Sequence, residues 1–367
     1  MGITQGVIAA PMLIFGKDKR LSKTLLAFAI LSFCLMFLKV LFNFTGLSDT
    51  PKFRYLPNAF ELSTAPLFYL YLRALTEQGF IWHRKLLLHF IPFMIAYGYA
   101  LLIFSVTFFY PTADLKDQVA NQYWYNPFKE FEDWSIVASI LLYLIFGYRR
   151  FSTFQSHIKN SNADNDYPTL YWLRTILVLC VILWFMLVFN MCISRFTEIR
   201  FANNMNWLVY YIYVAALTYY LSFMSYRQQA PDLEKLYQPD VQPEQINEPD
   251  QHFKKLVDKF LTILVEDKMY LEPTLNLRQV ADKLNVTQST LSNAINSHFD
   301  KNFRELINSY RLADIKTKLI DVNNKASILS LALESGFNSE ASFYRIFKKD
   351  TGQSPTEFVI SNQNAKT

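Results

Sequence analysis

The chain has 367 residues, 51% of them hydrophobic and 17% aromatic, with a formal net charge of +5. That length leaves room for two or three ordinary domains, and so modest a charge does not identify a partner. Its three cysteines, Cys34, Cys180 and Cys192, all lie in apolar runs, so no disulfide is expected, and no Cys/His spacing suggests zinc.

The averages conceal two different halves. Residues 1–230 hold 19 Lys and Arg and 12 Asp and Glu, against 17 and 19 in residues 231–367. Only the second part reaches the proportion usual for soluble domains, roughly 25% charged.

The first half is a series of apolar runs. Residues 25–44, 86–109, 170–193 and 207–224 are each long enough, or nearly so, to cross about 30 Å of hydrocarbon as helix. Residues 60–75 and 134–148 are shorter but plausible in a bundle, and residues 3–15 form either a stub of a span or an interfacial helix. The sequence therefore predicts a polytopic α-helical membrane bundle of six or seven spans over residues 1–225. The loops "GKDKRLSK", "HRK" (83–85) and "YRR" (148–150) are basic, whereas the alternate loops are acidic or mixed. By the positive-inside rule the basic loops face the cytoplasm, which puts everything after Met224 there as well. The expected location is the inner cell membrane of a bacterium, multi-pass. The acidic, aromatic loop 110–134 is the candidate for contact with an external signal.

Ionisable groups inside such runs are costly and invite explanation. Lys39 and Glu61 fall near the same end of two antiparallel neighbours, where they can pair. Two readings stand: the floor of a ligand pocket, or a snorkelling lysine with a structural partner. Arg73, His89 and Arg174 are expected to reach headgroups, and Asn190 to bond between helices.

Residues 226–250, "YRQQAPDLEKLYQPDVQPEQINEPD", are rich in Pro, Gln and acid. Such a segment buries too little surface to offset its ordering entropy and reads as a flexible linker.

From Gln251 onward the pattern is helical. Leu256, Phe260, Leu261 and Leu264 mark an amphipathic first helix. "LNLRQVADKLNVTQSTLSNAINSHF" predicts a helix over Leu277–Leu284, a turn at "NVT", and a second helix over Gln288–Phe299 capped by Thr287. "SILSLALESGFNSEASFYRIFKKDTG" repeats the plan, with Gly336 at the turn, Asn338 or Ser339 as cap, and Phe343 and Phe347 facing inward. Residues 302–320 form a joining helix, and "SPTEF" is a capping box with Pro355 at the first helical position. Short helix, tight turn, second helix is the helix-turn-helix plan, whose second helix enters the major groove.

These two units, the joining helix with Arg311, and "GFNSEASFYRIFKKDTGQSP" together resemble the DNA-binding domain of AraC-type transcription regulators over residues 251–361, followed by a disordered tail at 362–367. The resemblance implies an all-α double helix-turn-helix and RNA polymerase as a partner. Carried over by position, it implies base contacts from Ser289, Ser292, Asn293, Glu340, Tyr344 and Arg345, and phosphate contacts from Gln288, Lys348 and Lys349. Asn293 departs from the Arg or Lys of many relatives and suits adenine better than guanine. Arg311 is expected to brace the joining helix through an ion pair. "PLFYLYLRAL" and the apolar runs also look like membrane-bound members of the group.

The leading expectation is thus a membrane-tethered regulator. Its partners are double-stranded DNA, RNA polymerase, the lipid bilayer, a small-molecule or peptide signal, and a second copy of the chain. The alternative is a transporter or receptor with a fused regulatory domain; no internal repeat is visible, and only Pro66 and Pro92 lie well inside spans. An enzyme is not expected, because no glycine-rich phosphate loop occurs and the five histidines are scattered. No cofactor and no metal are called for.

Overall fold

A computed structural model describes residues 2–16, 20–77, 79–161, 168–196, 205–227, 249–321 and 326–364. The described residues are helical, with no strand. The chain divides into two compact units, residues 1–152 with 169–234, and residues 153–168 with 235–367. Most of the expected linker, residues 228–248, lies outside the described residues.

The first unit contains α1 (Gly2–Phe15), α2 (Leu21–Phe44), α3 (Glu61–Thr76), α4 (Ile91–Thr107), α5 (Ala113–Gln122), most of α6 (Tyr125–Ser161), α7 (Pro168–Phe196) and α8 (Met205–Arg227). Five helical segments are long and apolar enough to cross a membrane: Leu21–Phe44, Arg84–Thr107, Tyr125–Ser161, Tyr171–Ile193 and Trp207–Met224. A shorter apolar helix, Gly6–Phe15 within α1, makes six among the described residues, and α1 and α3 both pack along α2. Helix α2 is the centre of the unit, with Leu26, Ala27, Ala29 and Ile30 almost fully enclosed. Gly6 lets α1 approach it closely, since a Cβ there would fall 2.0 Å from Cys34 Sγ.

Other faces are inverted relative to a water-soluble protein. Only 17% of the most apolar windows of α4 and α6 is buried. Met94, Ile95, Phe185, Phe189 and Ile212 lie with 60% or more of their surface exposed. Apolar helices that bury so little of themselves suit a solvent of hydrocarbon. Polar side chains join the helices from within: Ser32 meets Thr64 at 3.0 Å, Trp184 Nε1 donates to the Val137 carbonyl, and the Tyr213 hydroxyl to that of Leu179.

Several expectations change here. The stretch 110–134 is not a loop. Thr112 caps α5, and α6 already begins at Tyr125 after a turn with Trp124 at positive φ. At 37 residues, α6 is about 55 Å long, more than the roughly 30 Å that a bilayer's hydrocarbon core would require. Asp117 on α5 accepts from Arg54 Nε (2.9 Å) and Nη2 (2.6 Å) and from the Tyr55 hydroxyl (2.7 Å), clamping this region to the α2–α3 connection. Burial works to raise the Asp117 pKa, but these hydrogen bonds and the Arg54 charge hold it below its ordinary value. Asn190 bonds back to the Met186 carbonyl of its own helix rather than across helices. His89 Nδ1 lies 2.8 Å from the Tyr143 hydroxyl, and Arg73 pairs with Glu77, so both find protein partners.

The second unit contains α9 (Pro249–Val265), α10 (Leu277–Leu284), α11 (Gln288–Phe299), α12 (Phe303–Ile320), α13 (Ile328–Glu334), α14 (Glu340–Thr351) and α15 (Pro355–Asn364). Helix α15 runs three residues into the stretch expected as a tail. Two cores share α12. Phe303, Leu306 and Ile307 join Phe260, Leu264, Val280, Leu291 and Ile295. Leu312, Ile315 and Leu319 join Leu331, Phe337, Phe343 and Phe347.

Candidate nucleic-acid interface

Each helix-turn-helix is built by local rules. In the first, Asn276 and Gln279 form a capping box on α10, Asn285 turns the chain at φ 54°, and the Thr287 side chain accepts from the Thr290 N–H to start α11. Asparagine is one of the few side chains at ease in that left-handed turn. In the second, Ser327 caps α13, Gly336 turns the chain at φ 89°, and Ser339 caps α14. Gly336 is needed twice over. Beyond its positive φ, a Cβ there would lie 2.7 Å from the Tyr270 carbonyl oxygen and 2.9 Å from Arg311 Nε.

Arg311 is buried to 2% exposure, so it is not a surface contact. Its Nε and Nη2 donate to the carbonyls of Tyr270 and Glu272, each at 2.7 Å. It braces the fold by tying the joining helix to the 3₁₀ turn Met269–Leu271 and the residue that follows it. Buried Ser335 adds a second tie, donating to Asp314, which also pairs with Lys318 at 2.7 Å. After α14, the Ser354 N–H donates to Glu357 Oε2 at 2.7 Å, and the Glu357 N–H to Ser354 Oγ at 3.3 Å. Those bonds hold the Glu357 carboxyl below the usual range.

This packing fixes which side chains the second helices present. Around α14, Arg345 lies about 180° from the stripe of Phe343 and Phe347, with Lys348 and Lys349 flanking it. All three are exposed, and none makes an ion pair among the described residues. Glu340, also exposed, stands in the first turn. Tyr344 is half-buried, its ring edge-on to Phe343 at 5.4 Å, so it belongs as much to the core rim as to the surface. Around α11, Asn293 lies about 180° from Leu291 and Ile295 and is exposed. Ser289, Ser292 and Gln288 are half-buried around it. Asn296, three residues on from Asn293, shares its exposed face. Sequence reasoning passed over Asn296, although the i, i+3 spacing from Asn293 was the signal.

The two faces differ chemically. That of α14 is cationic, with a guanidinium able to address guanine O6 and N7; that of α11 is neutral and amide-bearing, a chemistry suited to adenine. In the first unit, Lys39 Nζ donates to Glu61 Oε1 at 2.9 Å. Among the described residues no three His, Cys, Asp or Glu side chains gather as a metal site.

Residues 280–359 match the helix-turn-helix domain family, which is a family of DNA-binding regulator domains rather than of enzymes. No curated protein matches the chain. A solved structure of a protein of unknown function from Listeria innocua is similar at 24% identity over 28% of this chain and 93% of that one, with a TM-score of 0.26, too low to carry an argument. The family match and the paired helix-turn-helix geometry converge: residues 280–359 carry an AraC-type helix-turn-helix domain, which supports a DNA-binding transcription regulator.

Proposed function

We propose that this regulator works from the membrane: the apolar bundle anchors it in the inner membrane, the helix-turn-helix pair faces the cytoplasm, and a signal received by the bundle changes how that pair meets DNA. The observation that carries the reading is the co-occurrence in one chain of an AraC-type domain with five helical segments of spanning length and composition. The basic stretches at 16–23, 83–85 and 148–150 support the orientation, although the last, expected as a loop, lies inside the continuous helix α6. On the DNA, Arg345 and Asn293 read bases, with Ser289, Ser292, Glu340 and Tyr344 around them, and Gln288, Lys348 and Lys349 hold phosphates. RNA polymerase is the downstream partner, and a second copy of the chain doubles the site.

The test is genome-wide DNA occupancy of the intact chain in cells, beside an Arg345→Ala variant, with a Lys349→Cys variant probed by a membrane-impermeant thiol reagent. Discrete sites lost with Arg345, and labelling of the introduced thiol only after permeabilisation, are expected. Labelling from outside intact cells would overturn the orientation and the reading with it.

A further inference from the structure

The membrane unit contains a cavity of about 500 Å³, enclosed by α2, α3, α6, α7 and α8. That is within the range of small-molecule sites, roughly 300–1,000 Å³. It runs beside α3 from Glu61 to Leu72, about 16 Å of helix. Its walls are mostly apolar, with Phe33, Met36, Ile176, Leu183 and Leu187 among them. Its charged groups are Lys39, Glu61, Lys129, Glu130 and Asp133, drawn from the end of α2, the start of α3 and the start of α6. The space is therefore amphipathic along its length.

The charges at that end select the head of an occupant. Both lysines are already paired: Lys39 with Glu61 at 2.9 Å, and Lys129 with buried Glu132 at 2.7 Å. Among the groups that line the cavity, the carboxylates of Glu61, Glu130 and Asp133 outnumber the two ammonium groups, and Lys129 is further offset by Glu132 behind it. The second oxygen of Glu61, Oε2, is buried without a hydrogen-bond partner among the described residues. A buried carboxylate oxygen left so is costly, and a donor carrying positive charge satisfies it best. Trp207 and Tyr211, stacked at 6.2 Å, and Trp134 also line the cavity and offer ring faces to a cation. An anionic head would meet lysines whose charge is already offset.

We propose that the cavity binds a single-chain amphiphile with a protonated amine at its head, the amine against Glu61 and the chain along the apolar walls. This rests on the reading that the bundle receives a signal, and it names the chemistry of that signal.

The experiment uses the full chain in phosphatidylcholine nanodiscs, with radiolabelled dodecylamine, dodecanol and laurate as probes and empty nanodiscs as the blank. Saturable binding of one dodecylamine per chain is expected, at least tenfold tighter than dodecanol or laurate. The double variant Lys39→Met with Glu61→Gln, which removes both partners together, loses that preference. Leu183→Trp, which fills the apolar part, weakens all three at least tenfold. Should either variant fail to keep the wild-type elution profile, Asp133→Asn at the exposed rim replaces it, with a severalfold loss of amine preference expected. Laurate binding tightest, the three binding alike, no saturable binding above the blank, or a preference that survives the substitutions would each overturn the site. Promoter occupancy measured with and without dodecylamine separates the two claims. A saturable amine site with unchanged occupancy overturns the sensing reading and leaves the site; no amine binding with normal occupancy overturns the site alone.

Discussion

Arg311 Nε donates to the Tyr270 carbonyl at 2.7 Å across 41 residues of chain, and Gly336 closes over the same spot with no room for a side chain. Three pieces meet there: the 3₁₀ turn before the first helix-turn-helix, the joining helix, and the turn of the second. Their contact ties both helix-turn-helix units to the joining helix.

Gly336→Ala should therefore be among the most damaging single-methyl changes in the domain. The left-handed backbone alone costs about 1–3 kcal/mol for a non-glycine residue. The overlap with the Tyr270 oxygen adds to it. Urea denaturation of the fragment from Pro249 onward, which contains every residue of both cores, measures the loss. A change under about 0.5 kcal/mol, the level of a surface substitution, would contradict the geometry.

Arg311→Met keeps the volume and deletes two charge-assisted hydrogen bonds to carbonyls. The expected cost is about 3 kcal/mol, since hydrogen bonds to charged groups are each worth roughly 1.5–3 kcal/mol and do not add fully. Arg311→Lys, with a single point charge, should recover only part of it. The same urea titration, run on both variants, orders them.

On DNA the two kinds of residue should separate. Arg345→Ala should weaken specific binding by about 1–3 kcal/mol and relax the preference at one base pair. Lys348→Ala and Lys349→Ala should weaken binding evenly across sequences, each lowering the salt slope by about 1. Asn296→Ala tests the residue that only the structure brings forward; if α11 enters the groove on this face, its loss should change sequence preference. Fluorescence anisotropy over a salt series resolves all four.

The Asp117 clamp predicts a pH dependence of known sign. Its carboxyl is held below its ordinary value in the fold. The stability it contributes is therefore present above the unfolded pKa, about 3.9, and is lost as pH falls through the lower folded value. Asp117→Asn should lower the melting temperature of the nanodisc-embedded chain at pH 7 and flatten its decline between pH 5 and 3. Parallel curves for the two proteins would remove the clamp from the account.

Much of the second unit was legible because water enforces a period. Residues 277–284 and 288–299 stand out as helices from the spacing of Val280, Leu291 and Ile295, and the caps at Thr287 and Ser354 mark where helices start. In the first unit apolar residues fill nearly every position of the long helices, so the period vanishes. Nothing distinguishes Leu183, against the cavity, from Phe185, which is exposed, until the helices are packed. Lys39 and Glu61 could be set together beforehand because a charge in an apolar run demands a partner. The stretch 110–134 misled for another reason: its aromatic and acidic residues resemble an interfacial loop, and the cap at Thr112 is a single weak signal. Arg311 was expected to brace the joining helix, but no pattern in sequence announces its two carbonyl partners 39 and 41 positions away.

Helix α12 belongs to both cores, and its 18 residues make a strut of about 27 Å. Its length sets a fixed pitch between the two reading heads, comparable with the roughly 34 Å of one duplex turn. A promoter with about five base pairs inserted between the two half-elements, half of a duplex turn, would rotate one of them to the opposite side. Because α12 is one unbroken helix from Phe303 to Ile320, it offers no hinge along its own length, and binding to such a promoter should weaken even though every contacted base is still present.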